Sequence, residues 1–400
     1  MSTTHETRYQ SLDGLRGVAS LIVVGYHALL VVPTISTLYV QHTNPPTLSV
    51  EWWLYATPLR LLFAGHEAVL VFFVLSGFVL TLPFLNRPPT ARSTLAYYGR
   101  RVIRLYLPVW ASLVVALALA LAVPRQPGNS WLGSHHTPTA SSLWHDVVLL
   151  FGTSNLNSPL WSLTWEVWFS LLMPVMFVLI RFARVDLWWW AAIPALMVTS
   201  ALARFESVRH ALPMGWLTAD LMQYLPVFGI GMLLAFNRDR IAATAARVTR
   251  WWPIVLGALL LTVSPTVLAR NGAYGVAQAG TYVLSLIGVT VIVCLAFASP
   301  ARRPFLARPV QWAGSRSFSI YLVHEPILVA VALLLGARSM WWVPVAVAAI
   351  PVILVAAEGF YRVVERPSIR LSRAVGRAIN ARKTPSDLPE SRPEGARFVI

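Results

Sequence analysis

Leu12-Asp13-Gly14-Leu15-Arg16-Gly17-Val18-Ala19-Ser20-Leu21-Ile22-Val23-Val24-Gly25-Tyr26-His27 is the stretch that decides how this chain folds. An acid and an arginine stand at its entry, and the apolar run behind them carries a histidine eleven residues past Arg16. On an α-helix eleven residues make about three turns, so Arg16 and His27 share a face and lie about 16 Å apart along the axis. A helix that enters a bilayer at Arg16 brings His27 about half-way across the roughly 30 Å of hydrocarbon. An ionisable ring is costly to hold there, which makes function the leading reason to keep it. Burial favours the neutral imidazole, the form that accepts a proton.

Composition extends this reading to the whole chain. With 56% hydrophobic residues, 12% charged residues and a mean hydropathy of +0.62, the 400 residues hold far more apolar surface than a soluble core needs. The formal charge of +16 comes from arginines scattered between apolar runs, with no contiguous basic stripe and no nucleic-acid motif, so nucleic acid is not an expected partner. Cys294 stands alone in an apolar run, which excludes a disulfide framework and a thiolate metal site. The polar first ten residues, followed by no small-residue cleavage signal, make the first run a retained signal anchor.

Runs long enough to span fall at 15–32, 68–85, 105–123, 161–180, 187–204, 219–236, 252–269, 276–298, 317–336 and 341–361. The expected fold is therefore all-α, a polytopic transmembrane helix bundle of about ten spans. The run from Trp144 to Phe151 is too short to cross and reads as re-entrant or interfacial. Of the 32 Lys and Arg residues, only Arg60, Arg125, Arg204, Arg209, Arg270 and Arg338 fall in the loops on one side. By the positive-inside rule both termini are then cytoplasmic. The expected organisation is a cytoplasmic segment over 1–14, a transmembrane domain over 15–366, and a polar, disordered cytoplasmic tail over 367–400. That tail opens with Arg370, Arg373 and Arg377 on a juxtamembrane helix. The two long loops of the opposite side, Pro33 to His66 and Pro124 to Pro159, are placed to cap an outward-opening site.

Four further segments carry chemistry. Arg101 and Arg104 in Tyr97-Tyr98-Gly99-Arg100-Arg101-Val102-Ile103-Arg104 point one way on a helix, and serve either the positive-inside rule or bidentate phosphate binding. Glu166 in Trp161-Ser162-Leu163-Thr164-Trp165-Glu166 lies about 8 Å below a span end, as a structural ion pair or a reacting group. His324 and Glu325 precede Pro326, and as helical neighbours they point about 100° apart, so they need not serve one site. Tyr361 to Pro367 reads as an interfacial anchor. His135, His136 and His145 lack regular metal-ligand spacing, and no metal site is expected.

Taken together and in order, Leu12 to Gly17 with His27, Phe73-Val74-Leu75-Ser76-Gly77-Phe78-Val79-Leu80, Arg101 with Arg104, and Trp161-Ser162-Leu163 leading to Glu166 resemble the membrane-bound acyltransferase-3 family. Tyr321-Leu322-Val323-His324 and Tyr361 to Pro367 extend the resemblance over roughly residues 8–367. Thr81 departs from it, since serine is commoner there. The resemblance implies a ten-span enzyme that moves an acyl group, expected to be acetyl, from cytoplasmic acyl-CoA to a hydroxyl of a cell-surface glycan, lipid-linked sugar or secondary metabolite. It implies no tightly bound cofactor, and a place in a bacterial plasma membrane. It makes His27 the essential histidine, Arg16 its partner, and Arg101 and Arg104 the donor-binding pair; Ser76-Gly77-Phe78 and Glu166 are functional with open roles. The expected catalytic set is His27, Arg16, Glu166 and Asp13, and the expected donor-binding set is Arg101, Arg104, Arg100 and Ser76. Asp13 or Glu166 is left to orient or charge-balance the histidine and arginine. A transporter that passes substrate or protons along the same buried His, Glu and Arg residues is the alternative, against which stands the lack of a duplicated half.

Overall fold

A computed structural model describes residues 2–41, 45–86, 88–125, 131–249, 251–268, 274–335 and 342–381 of the protein. Those residues contain helices, turns and loops and no strand. The long helices are α1 (Ser2–Leu30), α2 (Gly65–Asn86), α3 (Ala91–Ala122), α4 (Trp161–Phe182), α5 (Trp189–Leu202), α6 (Trp216–Phe236), α7 (Trp252–Leu268), α8 (Tyr274–Ala298), α9 (Ser317–Leu334), α10 (Trp342–Phe360) and α11 (Arg366–Ala381). Eight described helices are long and apolar enough to cross a bilayer, and the chain is an all-α, polytopic integral membrane protein. Each of the ten expected runs overlaps one of α1 to α10. Two of these fall outside the eight: α1, whose hydropathy is lowered by Asp13, Arg16 and His27, and α7, whose described length is 17 residues.

The two ends depart from expectation. α1 starts at Ser2, so the expected separate segment over 1–14 is helix continuous with the first run. Leu12 and Leu15 are buried, and Gly17 lies so close to the backbone of Val310 and Gly314 that a Cβ would clash. From Gln10 onward α1 packs against the short helix Arg308–Ser315, ahead of its apolar run. At the other end the juxtamembrane helix expected to carry Arg370, Arg373 and Arg377 is α11, and it packs into the fold. α11 runs to Ala381 and packs along α3, burying Ser368, Ser372 and Gly376. Pro367, at its start, lies inside a continuous helix, where its ring and missing N–H interrupt the regular hydrogen-bond ladder beside a π-helical turn. A five-residue π-helical turn, Tyr361–Glu365, joins α10 to α11. The rest of the expected tail, 382–400, lies outside the described residues.

Two apolar clusters make the interior. One gathers α2, α4, α6 and α8 around Phe73, Phe169 and Phe228, with Phe228 stacked on Phe169 at 4.3 Å and on Phe73 at 4.5 Å. The other gathers α3, α9 and α10 around Val109, Leu328 and Ile353. Helix α1 belongs to both, with Leu12 to Val23 in the first and Val24 to Val31 in the second. Arg16 and His27 therefore stand on the seam of the bundle. Within the first cluster α2 and α6 meet backbone to backbone: a Cβ on Gly77 would strike the Phe228 carbonyl, and one on Gly231 the Val74 carbonyl. Small residues at such a crossing let membrane helices approach closely and gain dispersion contacts.

Candidate active site

A cavity of about 330 Å³ opens along this seam. Its wall takes Arg16 from α1, Ser76 from α2, Arg100, Arg101 and Arg104 from α3, Glu166 from α4, Tyr321 from α9 and Arg373 from α11. The arginines owe their place to a well-set helix start. Thr90 Oγ1 accepts from the Ser93 backbone N–H at 3.2 Å, and Ser93 Oγ accepts from that of Thr90 at 2.8 Å, so α3 begins with a reciprocal cap. Arg101 and Arg104, three residues apart, then share a face about three turns further on. Arg104 and Arg373 are exposed, so this end of the cavity reaches the surface.

Five arginines line the cavity against the single carboxylate of Glu166. Glu166 Oε1 meets Arg101 Nη2 at 2.8 Å and accepts from Ser76 Oγ at 3.2 Å. Arg101 Nε donates to Ser170 Oγ at 3.0 Å, and Ser170 Oγ donates to the Glu166 carbonyl at 2.6 Å. Glu166 and Ser170 thereby hold one guanidinium in a fixed plane. A planar, permanently charged fork held this way suits phosphate oxygens better than a flexible ammonium does.

The inner end of the cavity is walled by Val69, Phe72, Ser162 and Tyr321. Tyr321 OH donates to the Pro159 carbonyl at 2.8 Å and lies 2.7 Å from Ser162 Oγ. Its ring stands 6.0 Å from Phe72 and 5.8 Å from the ring of His324. His324 Nε2 in turn lies 3.2 Å from His27 Nδ1. The histidine expected at the centre is thus one aromatic layer removed from the arginine cavity, and its neighbour is a second histidine 297 residues away in sequence.

The loop between α3 and α4 covers the His27 end of α1. Trp131 packs with its ring 5.8 Å from that of His27, and its backbone N–H donates to Ser36 Oγ at 2.8 Å. His135 Nδ1 lies 2.9 Å from the Trp131 carbonyl and its Nε2 lies 2.8 Å from Glu325 Oε1. Ser158 Oγ donates to the same carboxylate oxygen at 2.5 Å, and Asn157 Nδ2 donates to the Leu322 carbonyl at 2.9 Å. A carbonyl only accepts, so His135 Nδ1 carries a proton. Its Nε2 and Glu325 Oε1 must then hold one further proton between them, as imidazolium and carboxylate or as imidazole and carboxylic acid. Both side chains are buried, and the pair ties the two ends of the loop to α9. The short run near Trp144 is the helix Ala140–Val148 on this loop, with Trp144 exposed.

Most of the expected site residues converge. Arg16, Ser76, Arg100, Arg101, Arg104 and Glu166 all line one cavity. Asp13 does not join them at the histidine; it is exposed on α1. Glu166 is taken up by Arg101 and Ser76, and neither acid has a described hydrogen bond to His27. Residues that the sequence left unassigned complete the site. His324 and Glu325 turn to different partners, as their 100° offset implies. Ser372 and Arg373 enter from α11, and Glu365, read as part of an anchor, accepts from the Ser319 backbone N–H at 3.1 Å in the first turn of α9, where a carboxylate suits the helix dipole. The sequence marked the helix that carries Arg373 but not its entry into the cavity, and nothing local pairs His27 with His324.

All of this arrangement except Glu365, Ser372 and Arg373 falls within a match to a known family. A family model of acyltransferase-3 type, described as an acyltransferase domain, matches residues 9–361. Acyltransferase MdmB of Streptomyces mycarofaciens is 26% identical over 396 residues, which cover 91% of this chain and 92% of that protein. Peptidoglycan O-acetyltransferase OatA of Listeria monocytogenes is 23% identical over 399 residues, covering 92% of this chain and 57% of that protein. No solved structure matches the chain. With the seam helix, the arginines of α3 and the His27–His324 pair all inside the matched residues, this chain belongs to the acyltransferase-3 family and is a membrane-embedded acyltransferase.

Proposed function

We propose that the protein transfers an acyl group, acetyl in the simplest case, from cytoplasmic acyl-CoA to a hydroxyl of an acceptor that arrives from the opposite face. The observation that carries this is the single cavity in which five arginines face one carboxylate and whose inner wall, Tyr321, adjoins the histidine pair. Acyl-CoA carries its charge on phosphates at one end and its thioester at the other, at the end of a pantetheine arm. Phosphates held by Arg16, Arg100, Arg104 and Arg373 would leave that arm to run inward past Ser76 and Leu80. Arg373 lies beyond the matched residues, so its share in donor binding is specific to this reading. The thioester reaches His27 when the Tyr321 ring swings aside.

At His27 the acceptor hydroxyl attacks the thioester carbonyl, the ring takes the hydroxyl proton, the C–S bond breaks and the proton passes to the departing thiolate. A route in which His27 carries the acyl group between the two half-reactions uses the same ring nitrogen. The positive-inside reading puts the Arg16 end and both termini in the cytoplasm, and the loop over His27 on the acceptor side. The peptidoglycan O-acetyltransferase among the relatives makes a cell-surface glycan one acceptor class; lipid-linked sugars and secondary metabolites are the others. The membrane is that of a bacterial cell.

Arg104→Ala should raise the KM for acyl-CoA about 10- to 100-fold, the equivalent of one charge-assisted phosphate contact, with kcat little changed. Labelled acyl-CoA in proteoliposomes reads both constants, and mass spectrometry of glycans, lipids and metabolites identifies the product that gains the label. An unchanged KM contradicts donor binding in this cavity, and vesicle uptake without acylation contradicts transfer.

A further inference from the structure

We infer that His324 is the positioning residue of the histidine centre, which holds His27 in the tautomer whose Nε2 bears the reactive lone pair. The inference rests on the proposed role of His27 and goes beyond it by fixing which ring nitrogen reacts and what fixes it. It follows from donors and acceptors alone. His324 Nδ1 lies 2.8 Å from the Tyr321 carbonyl and 3.1 Å from that of Ile320. Carbonyls only accept, so this nitrogen carries the proton, and in a neutral ring Nε2 is then a bare acceptor. His27 Nδ1 lies 3.0 Å from the Val23 carbonyl and 3.2 Å from His324 Nε2. Both neighbours accept, so His27 Nδ1 must donate, shared between them, and the lone pair of the neutral His27 ring is left on Nε2.

Two backbone carbonyls of α9 thus set the tautomer of His324, and His324 sets that of His27. The logic is that of a catalytic triad, with a neutral imidazole in the place of the usual carboxylate. His324 is fully buried in α9 and cannot turn away without losing its two carbonyl contacts. When His27 takes a proton on Nε2 its ring becomes cationic, and the Nδ1–H contact to His324 becomes charge-assisted and stronger. Glu325, one residue on, is taken up by His135 and Ser158 and makes no described hydrogen bond to either ring of the centre.

The test compares wild-type, His27→Ala, His324→Leu and His324→Gln proteins, purified at full length in detergent and assayed with labelled acyl-CoA. His324→Leu removes the acceptor, and kcat is expected to fall about 10²- to 10⁴-fold while the KM for acyl-CoA stays within about threefold. His324→Gln restores an acceptor oxygen near the former Nε2 and should recover kcat to within about tenfold of wild type. Solid-state ¹⁵N spectra of the histidine-labelled wild-type protein give a readout that needs no variant to be active. The signals missing from His27→Ala should show a protonated Nδ1 and an unprotonated Nε2. A His324→Leu protein with wild-type kcat, or the opposite tautomer in the spectra, overturns the inference. An active His27→Ala protein overturns the functional reading itself and leaves the tautomer result standing.

Discussion

A His27→Ala protein is expected to insert, fold and bind acyl-CoA, and to transfer no measurable acyl group. The side chain is half-buried and packs on Tyr26, Trp131 and His324, so its loss opens a small space without orphaning a charge. His324 Nδ1 still has its two carbonyls and Trp131 still donates to Ser36, and the loss falls on His324 Nε2, a neutral acceptor deprived of its His27 donor. The donor arginines line a cavity on the other side of Tyr321 and are untouched. What disappears is the group proposed to accept the hydroxyl proton, and removing a positioned base costs about 10²- to 10⁴-fold in rate. Turnover of labelled acyl-CoA, set beside donor affinity by calorimetry and the monodisperse fraction by size exclusion, checks all three parts. Activity within about tenfold of wild type would remove His27 from the chemistry.

Gly77→Val is expected to do the opposite, and to abolish the folded enzyme while leaving every reacting group in the sequence. Gly77 stands where α2 meets the Phe228 carbonyl of α6, and Gly231 of α6 stands against the Val74 carbonyl of α2. The obstacle to any added carbon is backbone, which cannot move aside as a side-chain tip can. The two helices would have to separate, breaking the stack of Phe73, Phe228 and Phe169 at the centre of the larger cluster. Overpacking a well-filled interior costs about 1–3 kcal/mol, and a backbone collision at a helix crossing falls at or above the upper end. Ser76→Ala, one residue away, loses only a 3.2 Å hydrogen bond to Glu166 and should cost about 1 kcal/mol. Thermal midpoints of the purified proteins separate the two. A Gly77→Val midpoint equal to that of Ser76→Ala would show that the crossing is not tight. The motif around Ser76-Gly77-Phe78 thus divides its labour: Ser76 serves the cavity, and Gly77 and Phe78 serve the packing that holds it open.

Much of this was legible in the sequence because hydrocarbon imposes a simple code. Apolar runs at 68–85 and 317–336 correspond to α2 at Gly65–Asn86 and α9 at Ser317–Leu334, with ends displaced by a few residues. Helical spacing brought Arg101 and Arg104 to one face, and the cost of buried charge picked out His27 and Glu166 before any contact was known. Hydropathy fails where tertiary packing takes over. α1 is packed from Gln10 onward, ahead of its apolar run, because Gly14 and Gly17 nest against residues 305–314, and α11 stays in the fold because its buried edge lies along α3. Partnership across the bundle is likewise invisible to local spacing. Glu166 was open to pairing with an arginine or a histidine, and helix packing gives it Arg101; His27 was left to an acid, and the fold gives it His324.

In the proposed mechanism, donor phosphates and reacting histidine lie at two ends of one path along the seam of α1. The most direct measurement is a cryo-electron-microscopy structure of the full-length protein with a non-transferable thioether analogue of acetyl-CoA. Phosphate density is expected against Arg16, Arg104 and Arg373, with a pantetheine arm running past Ser76, Tyr321 rotated from Pro159, and the thioether beside His27. Analogue density outside the arginine cavity, or an arm that ends with Tyr321 still closed and His27 out of reach, would contradict it.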